Sequence, residues 1–270
     1  MTWIESVILG LVQGLTEFLP VSSSGHLVLG KHILGIEASE IGILFEVLVH
    51  FGTALSIIVV YRKELVKLIG GFITAAIRPS QYQQAWINNQ EFRMALFILL
   101  TMIPTGLVYV LFKDDLEALF SDPKATSFML IVTGILLLLT RLRKNPDGEI
   151  TPVKALLIGV AQSVAMIPGI SRSGSTICTA IYLNIDARKA ADFSFLMLLP
   201  VVLGATLLKT GEVLSATSSV PWGILLLGTF VAFLSGIVAI KLVLNFVRSG
   251  KLHYFAFYCF AIGGTGIALL

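Results

Sequence analysis

Long apolar stretches, with the charged residues gathered between them, constrain this chain more than any other feature. Six stretches, at about 41–61, 93–112, 126–142, 191–208, 222–244 and 254–270, read as bilayer-crossing helices, each of which needs roughly 20 apolar residues. The run at 126–142 is short and suits a thin or weakly tilted crossing. Two further apolar segments, about 4–36 and 153–185, are broken in the middle by Pro, Gly and Ser. Each reads as a helix, a tight turn and a second helix, with halves of about 15 residues that are too short to cross. Such hairpins enter a bilayer and return only where protein or water satisfies the backbone of the turn. Both are therefore expected to be re-entrant.

Composition excludes the soluble alternatives. Charged residues make up 13% of the chain and mean hydropathy is +0.91, whereas soluble domains carry about 25% charged residues. There are too few charges to coat a water-facing surface. The net charge of +3 is spread over loops with no continuous basic tract, so nucleic acid is not an expected partner. Cys178 and Cys259 lie far apart in apolar surroundings and make neither a metal pattern nor a disulfide framework. A cleavable signal is not expected: Met1-Thr2-Trp3-Ile4-Glu5 lacks a basic start, and no A-x-A-like site follows the first apolar run.

The loops give an orientation. Loop 62–92 carries Arg62, Lys63, Lys67 and Arg78; loop 143–154 carries Arg143, Lys144 and Lys154; loop 245–253 carries Arg248 and Lys251. These are expected in the cytoplasm, where basic loops accumulate. The acidic loop 113–125 and the sparsely charged loop 209–221, with only Lys209 and Glu212, fit the outside. The alternation puts both termini and the mouth of the first hairpin outside, while the second hairpin opens to the cytoplasm.

The two hairpins resemble each other. Gly10, Gln13, Ser22, Ser24 and Gly25 match Gly159, Gln162, Ser171, Ser173 and Gly174 at one offset of 149 residues. With one hairpin and three spans in each half, the second copy is inverted, an arrangement that puts binding sites at the repeat interface near the midplane. The expected fold is an all-α integral membrane protein in a single membrane domain, 1–270. Its two inverted repeats cover about 1–142 and about 150–270. The two turns then face each other inside the membrane. They diverge where chemistry would sit, with Glu17 aligned to Met166, Ser23 to Arg172 and His26 to Ser175.

Ionisable groups at membrane depth are costly and are functional candidates by default. Arg172 offers a permanently charged fork of donors matching phosphate oxygens. The Gly-Ser turn from Pro168 through Thr176 adds backbone N–H groups, and a helix starting near Ser173 would aim its positive end at the same place. The opposite turn offers Ser22, Ser23 and Ser24 as hydroxyls, Glu17 as a base and His26 as base, acid or nucleophile. Each has a structural alternative. The serines can be helix caps, Glu17 a partner of Arg172, His26 a packed interface histidine and Arg172 a snorkelling side chain. Glu46 and His50, four apart on one helical face, either approach the site or bond each other. Asp192 is expected near a helix N-terminus in a structural role.

With these residues in hand, the chain resembles the bacitracin-resistance family of undecaprenyl pyrophosphate phosphatases over nearly its whole length. The resemblance rests on Gln13-Gly14-Leu15-Thr16-Glu17-Phe18-Leu19-Pro20-Val21-Ser22-Ser23-Ser24-Gly25-His26 and on Pro168-Gly169-Ile170-Ser171-Arg172-Ser173-Gly174-Ser175-Thr176, with support from Phe45-Glu46-Val47 and Asp192-Phe193-Ser194-Phe195-Leu196. It implies removal of one phosphate from a C55 polyprenyl pyrophosphate that carries cell-wall precursors, in the bacterial inner membrane. It also implies a divalent cation, Mg2+ or Ca2+, whose site the sequence does not show. The family's acidic pair falls on Gln13 and Glu17, its proposed nucleophile on Ser23, its motif histidine on His26 and its phosphate-binding arginine on Arg172. Gln13 cannot act as a base, and Ser24 stands where Thr is common. The phosphatidic acid phosphatase superfamily shares fragments of these motifs, but Cys178 and Tyr182 stand where it requires His and Asp. Arg78-Pro79 likewise lacks its upstream lysine, since position 71 is Gly71.

The expected activity is therefore membrane-embedded hydrolysis of a polyprenyl pyrophosphate, with Glu17, Ser23, His26 and Arg172 as catalytic candidates. Gln13, Ser22, Ser24, Gly25, Ser171, Ser173, Gly174 and Thr176 are the substrate-binding candidates. The partners expected are the lipid substrate and the bilayer, and a second copy of the chain is a candidate. A lipid flippase, which inverted repeats also suit, and a non-catalytic lipid-binding protein are the alternatives. The unlike chemistry of the two turns favours the enzyme.

Overall fold

A computed structural model of the chain describes residues 1–35, 40–77, 82–143, 146–216 and 221–270. Arg78, Pro79 and Lys144, used above, lie outside the described residues, as do the side chains of Lys209 and Glu212. The described residues are helical almost throughout, and their one extended pairing is a bridge between Gly148 and Ile185. Thirteen α-helices run in the order α1 (Trp3–Phe18), α2 (Ser23–Leu34), α3 (Glu40–Val60), α4 (Arg62–Ile77), α5 (Tyr82–Asn88), α6 (Gln90–Leu119) and α7 (Pro123–Leu139), then α8 (Pro152–Val164), α9 (Arg172–Tyr182), α10 (Ala187–Leu196), α11 (Leu198–Ala216), α12 (Trp222–Arg248) and α13 (Tyr254–Leu269).

Among the described residues, five stretches are long and apolar enough to cross a bilayer: Gly42–Val60, Gln90–Leu119, Pro123–Leu142, Ala187–Leu207 and Trp222–Arg248. The protein is a multi-pass membrane protein. The sixth expected span is α13, apolar but only 16 residues long. Side chains such as Val110, Leu207, Phe230 and Val238 stand more than half exposed, which suits lipid on the outer face and not water. Several helices start where the sequence supplies a cap, whereas α12 and α13 start with no side-chain cap. Thr2 and Glu5 form a capping box on α1, while Asn89, Asp122 and Thr151 cap α6, α7 and α8. Pro200 has no N–H for Leu196 and its ring crowds that carbonyl, so the span 187–207 breaks at Met197 into α10 and α11.

The segments expected as loops are largely helical. Most of 62–92 is α4 and α5, the acidic 113–119 continues α6 past non-helical angles at Phe112, and α11 runs to Ala216. Charged residues mark where spans leave the hydrocarbon, but they do not end a helix, whose own hydrogen bonds persist in headgroups and water alike.

Small residues set the packing, as expected where lipid is no less apolar than a leucine and close approach is the gain. On α1, a Cβ at Gly10 would lie 2.6 Å from the Gly228 carbonyl of α12, and one at Gly14 only 2.5 Å from the Ala232 carbonyl. On α8, a Cβ at Gly159 would lie 2.8 Å from Thr101 Cα of α6. α3 also packs against α11 and α12, and α7 against α13. Beneath the two turns lies the largest apolar cluster, in which Phe18 meets Phe195 edge-on at 5.5 Å between centroids. Asp192 accepts the Tyr61 hydroxyl at 2.8 Å and faces Arg188 at 3.8 Å. These contacts suit a structural role, but Asp192 sits in the middle of α10, whose N-cap is Asp186.

Candidate active site

The turn between α1 and α2 and the turn between α8 and α9 meet in the middle of the molecule. A Cβ on Gly25 would lie 3.1 Å from Gly169 Cα, and one on Gly174 would lie 3.4 Å from Pro20 Cβ. Hydrogen needs almost no room, and any larger side chain at Gly25 would push the turns apart. Ser173 Oγ also donates to the Leu19 carbonyl at 3.3 Å. The second turn is clamped from α7, where Thr133 Oγ1 donates to the Gly169 carbonyl at 2.8 Å and accepts from Ser171 N at 3.0 Å. This buried backbone thus finds the partners it must have. Thr133 drew no attention in the sequence, because a threonine in a span carries no distinguishing signal.

Two serines cap the second helices of the pairs. Ser22, at φ 69° in the left-handed region, accepts from Gly25 N, and Ser171 accepts from Gly174 N. The caps explain Ser22 and Ser171 structurally and leave Ser23 at the first position of α2. α9 begins at Arg172, so the guanidinium leaves the chain at the positive end of that helix.

Glu17 is the hub. Its Oε1 accepts from Arg172 Nη2 at 2.9 Å, and its Oε2 accepts from Ser23 Oγ at 2.5 Å and from Gln13 Nε2 at 2.9 Å. The side chains of Glu17 and Arg172 are 6% and 15% exposed, so this is an ion pair largely removed from solvent. Arg172 Nη1 donates to the Ser194 carbonyl at 3.0 Å, and the remaining donors of the fork stay available. Thr176 and Ser194 share a hydrogen bond at 2.6 Å that fixes α9 on α10 and so holds that carbonyl in place.

His50 completes the cluster from α3. Its Nδ1–H donates to the Glu46 carbonyl at 2.7 Å, which leaves Nε2 facing Glu17 Oε2 at 3.7 Å. The Glu46 side chain pairs with Lys31. Of the two alternatives for this helical face, both residues approach the site: His50 faces Glu17, and Glu46, paired with Lys31, lines the cavity above it. His26 lies elsewhere. Both its ring nitrogens are engaged, Nδ1 with the Ser22 carbonyl and Nε2 with the Tyr258 hydroxyl, each at 2.8 Å, and its ring stacks on Tyr258.

Above Glu17 and Arg172 opens a cavity of about 400 Å3. Of the residues singled out in the sequence, Glu17, Ser22, Ser23, Ser24, Ser171 and Arg172 line it; Gln13, Gly25, His26, Ser173, Gly174 and Thr176 do not. The walls are Leu198, Val201, Val202 and Ala205 of α11, Ala165 and Met166 at the end of α8, and Thr105 and Tyr109 of α6. Lys113, Leu116, Glu117 and Phe120 line its edge beyond the Phe112 break. Gln162 donates to Thr105 Oγ1 at 3.0 Å, yet its own Oε1, like that of Gln13, is buried with no partner among the described residues. A polar floor under apolar walls suits a ligand with an anionic head and a hydrocarbon tail.

Among the described residues, no three His, Cys, Asp or Glu side chains group closely enough to hold a metal ion. Three carboxylates, Glu17, Glu46 and Glu117, line the cavity, and the first two already stand beside a cation. This set fits an ion brought in and mostly ligated by phosphate oxygens, as is common for Mg2+, rather than a protein cage.

The family model described as "Bacitracin resistance protein BacA" matches residues 6–265. The chain is 53% identical over 270 residues to a protein of Salinibacter ruber named undecaprenyl-diphosphatase, covering all of both chains. It is 43% identical to one of the same name in Christiangramia forsetii, over 97% of this chain and 96% of that one. A third of that name, in Desulfatibacillum aliphaticivorans, is 40% identical over 98% of each. Full-length similarity, the two motif turns and their meeting in one cavity lead to a single assignment: the chain belongs to the bacitracin resistance protein BacA family.

Proposed function

We propose that the protein removes the terminal phosphate of undecaprenyl pyrophosphate, giving undecaprenyl phosphate and inorganic phosphate. This recycles the carrier of cell-wall precursors and underlies the bacitracin resistance for which the family is named. The observation that carries this reading is the hydrogen-bonded cluster of Ser23, Glu17 and Arg172 on the floor of an apolar-walled cavity. The prenyl chain lies along the α11 wall, and the pyrophosphate meets the free donors of Arg172. Ser23 Oγ attacks the terminal phosphorus as its proton passes to Glu17, and the bond from phosphorus to the bridging oxygen breaks. The monophosphate leaves with that electron pair. Water then cleaves the phosphoserine and releases phosphate.

The guanidinium shared with the phosphate is withdrawn in part from Glu17, which frees the carboxylate to take the proton. It also neutralises charge on the transferred group, where most phosphoryl-transfer catalysis resides. His50 is placed to relay that proton onward. Glu17 and Glu46, with the phosphate oxygens, would hold a divalent cation, Mg2+ or Ca2+, which would supply further charge neutralisation. Ser23 is favoured over His26 as nucleophile because it touches Glu17 and lines the cavity, whereas His26 does neither.

The inverted repeat is part of the proposal. Gly10 and Gly159 seat α1 on α12 and α8 on α6, and Ser22 and Ser171 cap corresponding helices. Gln13 and Gln162 each keep one orphan oxygen, and the last helices of the two halves, α7 and α13, pack together. At 12, 13 and 11 residues, α2, α8 and α9 are each too short to cross. This supports two re-entrant hairpins in one domain of the inner membrane. The cavity edge at Lys113 and Phe120 lies on the acidic loop, which supports an outward-facing site.

The test uses polyprenyl pyrophosphate labelled in its terminal phosphate. Purified protein should release labelled phosphate in detergent, and acid quenching should trap label on the protein. Label retained on Ser23→Ala would refute the nucleophile. Lipid movement in vesicles with no phosphate release would refute the activity itself.

A further inference from the structure

A second cavity, of about 520 Å3, shares no lining residue with the first and lies where the ends of α7, α9 and α12 meet the starts of α10 and α13. Arg141, Arg143, Arg248 and His253 line it, with Asp186 as the one acid among its lining residues. Asp186 already caps α10, accepting from Lys189 N at 2.9 Å. Among the described residues, Arg141, Arg143 and Arg248 make no hydrogen bond or ion pair, and Arg248 meets an acid only through the longer-range field of Asp192. Three helices end here, and arginines at helix ends commonly serve the last carbonyls. These three serve none, so their forks are left for something else.

The floor is apolar and closed: Ile181, Val247 and Leu252 are at most 5% exposed. The flank is apolar and open. Leu142, between the two arginines of the α7 end, is 81% exposed, and Tyr254, next to His253, is 53% exposed. Tyrosine favours the headgroup level of a bilayer, and leucine favours the acyl region. Basic pockets between transmembrane helices that combine these features bind lipid headgroups.

We propose that this cavity binds a phosphate oxyanion carried by an anionic phospholipid, with Arg141, Arg143 and Arg248 on the phosphate and Leu142 and Tyr254 against the first part of the acyl chains. The loop charges read above put it in the cytoplasmic leaflet. The binding chemistry does not depend on that side, nor on the phosphatase reading.

Native mass spectrometry of the whole chain in detergent tests this with three probes: phosphatidylglycerol, phosphatidylcholine and inorganic phosphate. Phosphatidylglycerol should form adducts well below the phosphatidylcholine concentration needed, because choline cancels the phosphate charge. Each arginine changed to glutamine should weaken the phosphatidylglycerol adduct about fivefold, and the triple variant on the order of a hundredfold. Arg62, Lys63 and Lys67 changed together to glutamine should leave it unaltered. Arg248→Lys, which keeps the charge and loses the fork, should fall between Arg248→Gln and the unchanged protein. It also serves if the triple variant does not give a native helical circular dichroism spectrum. Undiminished adducts in the Arg248→Gln variant would overturn the proposal. So would equal loss in the α4 control, or inorganic phosphate binding as tightly as the lipid.

Discussion

Glu17 accepts hydrogen bonds from Gln13, Ser23 and Arg172 at once, so each partner can be probed by its effect on the others. Glu17→Gln keeps the volume and loses the charge that takes the Ser23 proton. Phosphate release should fall by about two to four powers of ten, the usual worth of a positioned base, while lipid pyrophosphate stays bound because Arg172 no longer shares its fork with a carboxylate. Equilibrium binding beside turnover checks this, and joint loss of both would count against it. Arg172→Lys replaces a planar fork with a point charge and should cost about a hundredfold in turnover. Alanine at either position is a poorer probe, because a buried charge without its partner costs about 3–5 kcal/mol of stability. At the histidines, His50→Gln should lower turnover well beyond His26→Ala, since only the His50 ring faces Glu17. The opposite order, in the same assay, would restore His26 to the mechanism.

Helix seams and cavity walls carry the next predictions. A Cβ at Gly14 would stand 2.0 Å from Ser235 Oγ and 2.5 Å from a backbone carbonyl, whereas one at Gly106 would meet nothing within 4 Å. Gly14→Val should therefore lower stability in detergent by about 1–3 kcal/mol or more, and Gly106→Ala should not lower it at all. Midpoints of thermal unfolding compare the two directly. On the α11 wall, Ala205→Trp should raise KM for a C55 substrate more than for a short prenyl pyrophosphate, because only the longer tail needs that wall. At this scale the sequence was partly legible. Helix pairs, spans and both motif turns followed from where apolar runs stop and where Pro, Gly and Ser interrupt them. Glu17 and Arg172 stood out because charges are rare in such runs. The α11 wall did not, since Val201, Val202 and Ala205 look like any residues of any span and only packing decides which of them face a cavity. The choice between His26 and His50 was equally hidden, because position along a helix fixes a face and not the neighbour that face meets.

For the whole molecule, the side on which the cavity opens is the testable matter. Ser121→Cys, on the acidic segment, should react with a membrane-impermeant thiol reagent in intact cells, and Ser249→Cys only after the membrane is opened. Cys178 and Cys259 are buried and give little background. The reverse labelling would turn the site to the cytoplasm. The meeting of two unlike turns has one more consequence. A dimer of identical half-length chains would set like against like at its centre, two carboxylates or two guanidiniums in a space that shuts out water. Mutual repulsion would spring such an assembly open or strip it of charge. On the proposed inverted repeat, joining the halves in one polypeptide lets each drift separately, so that acid can stand opposite base. The continuous chain is thus what makes an electrically balanced interior compatible with a reactive one.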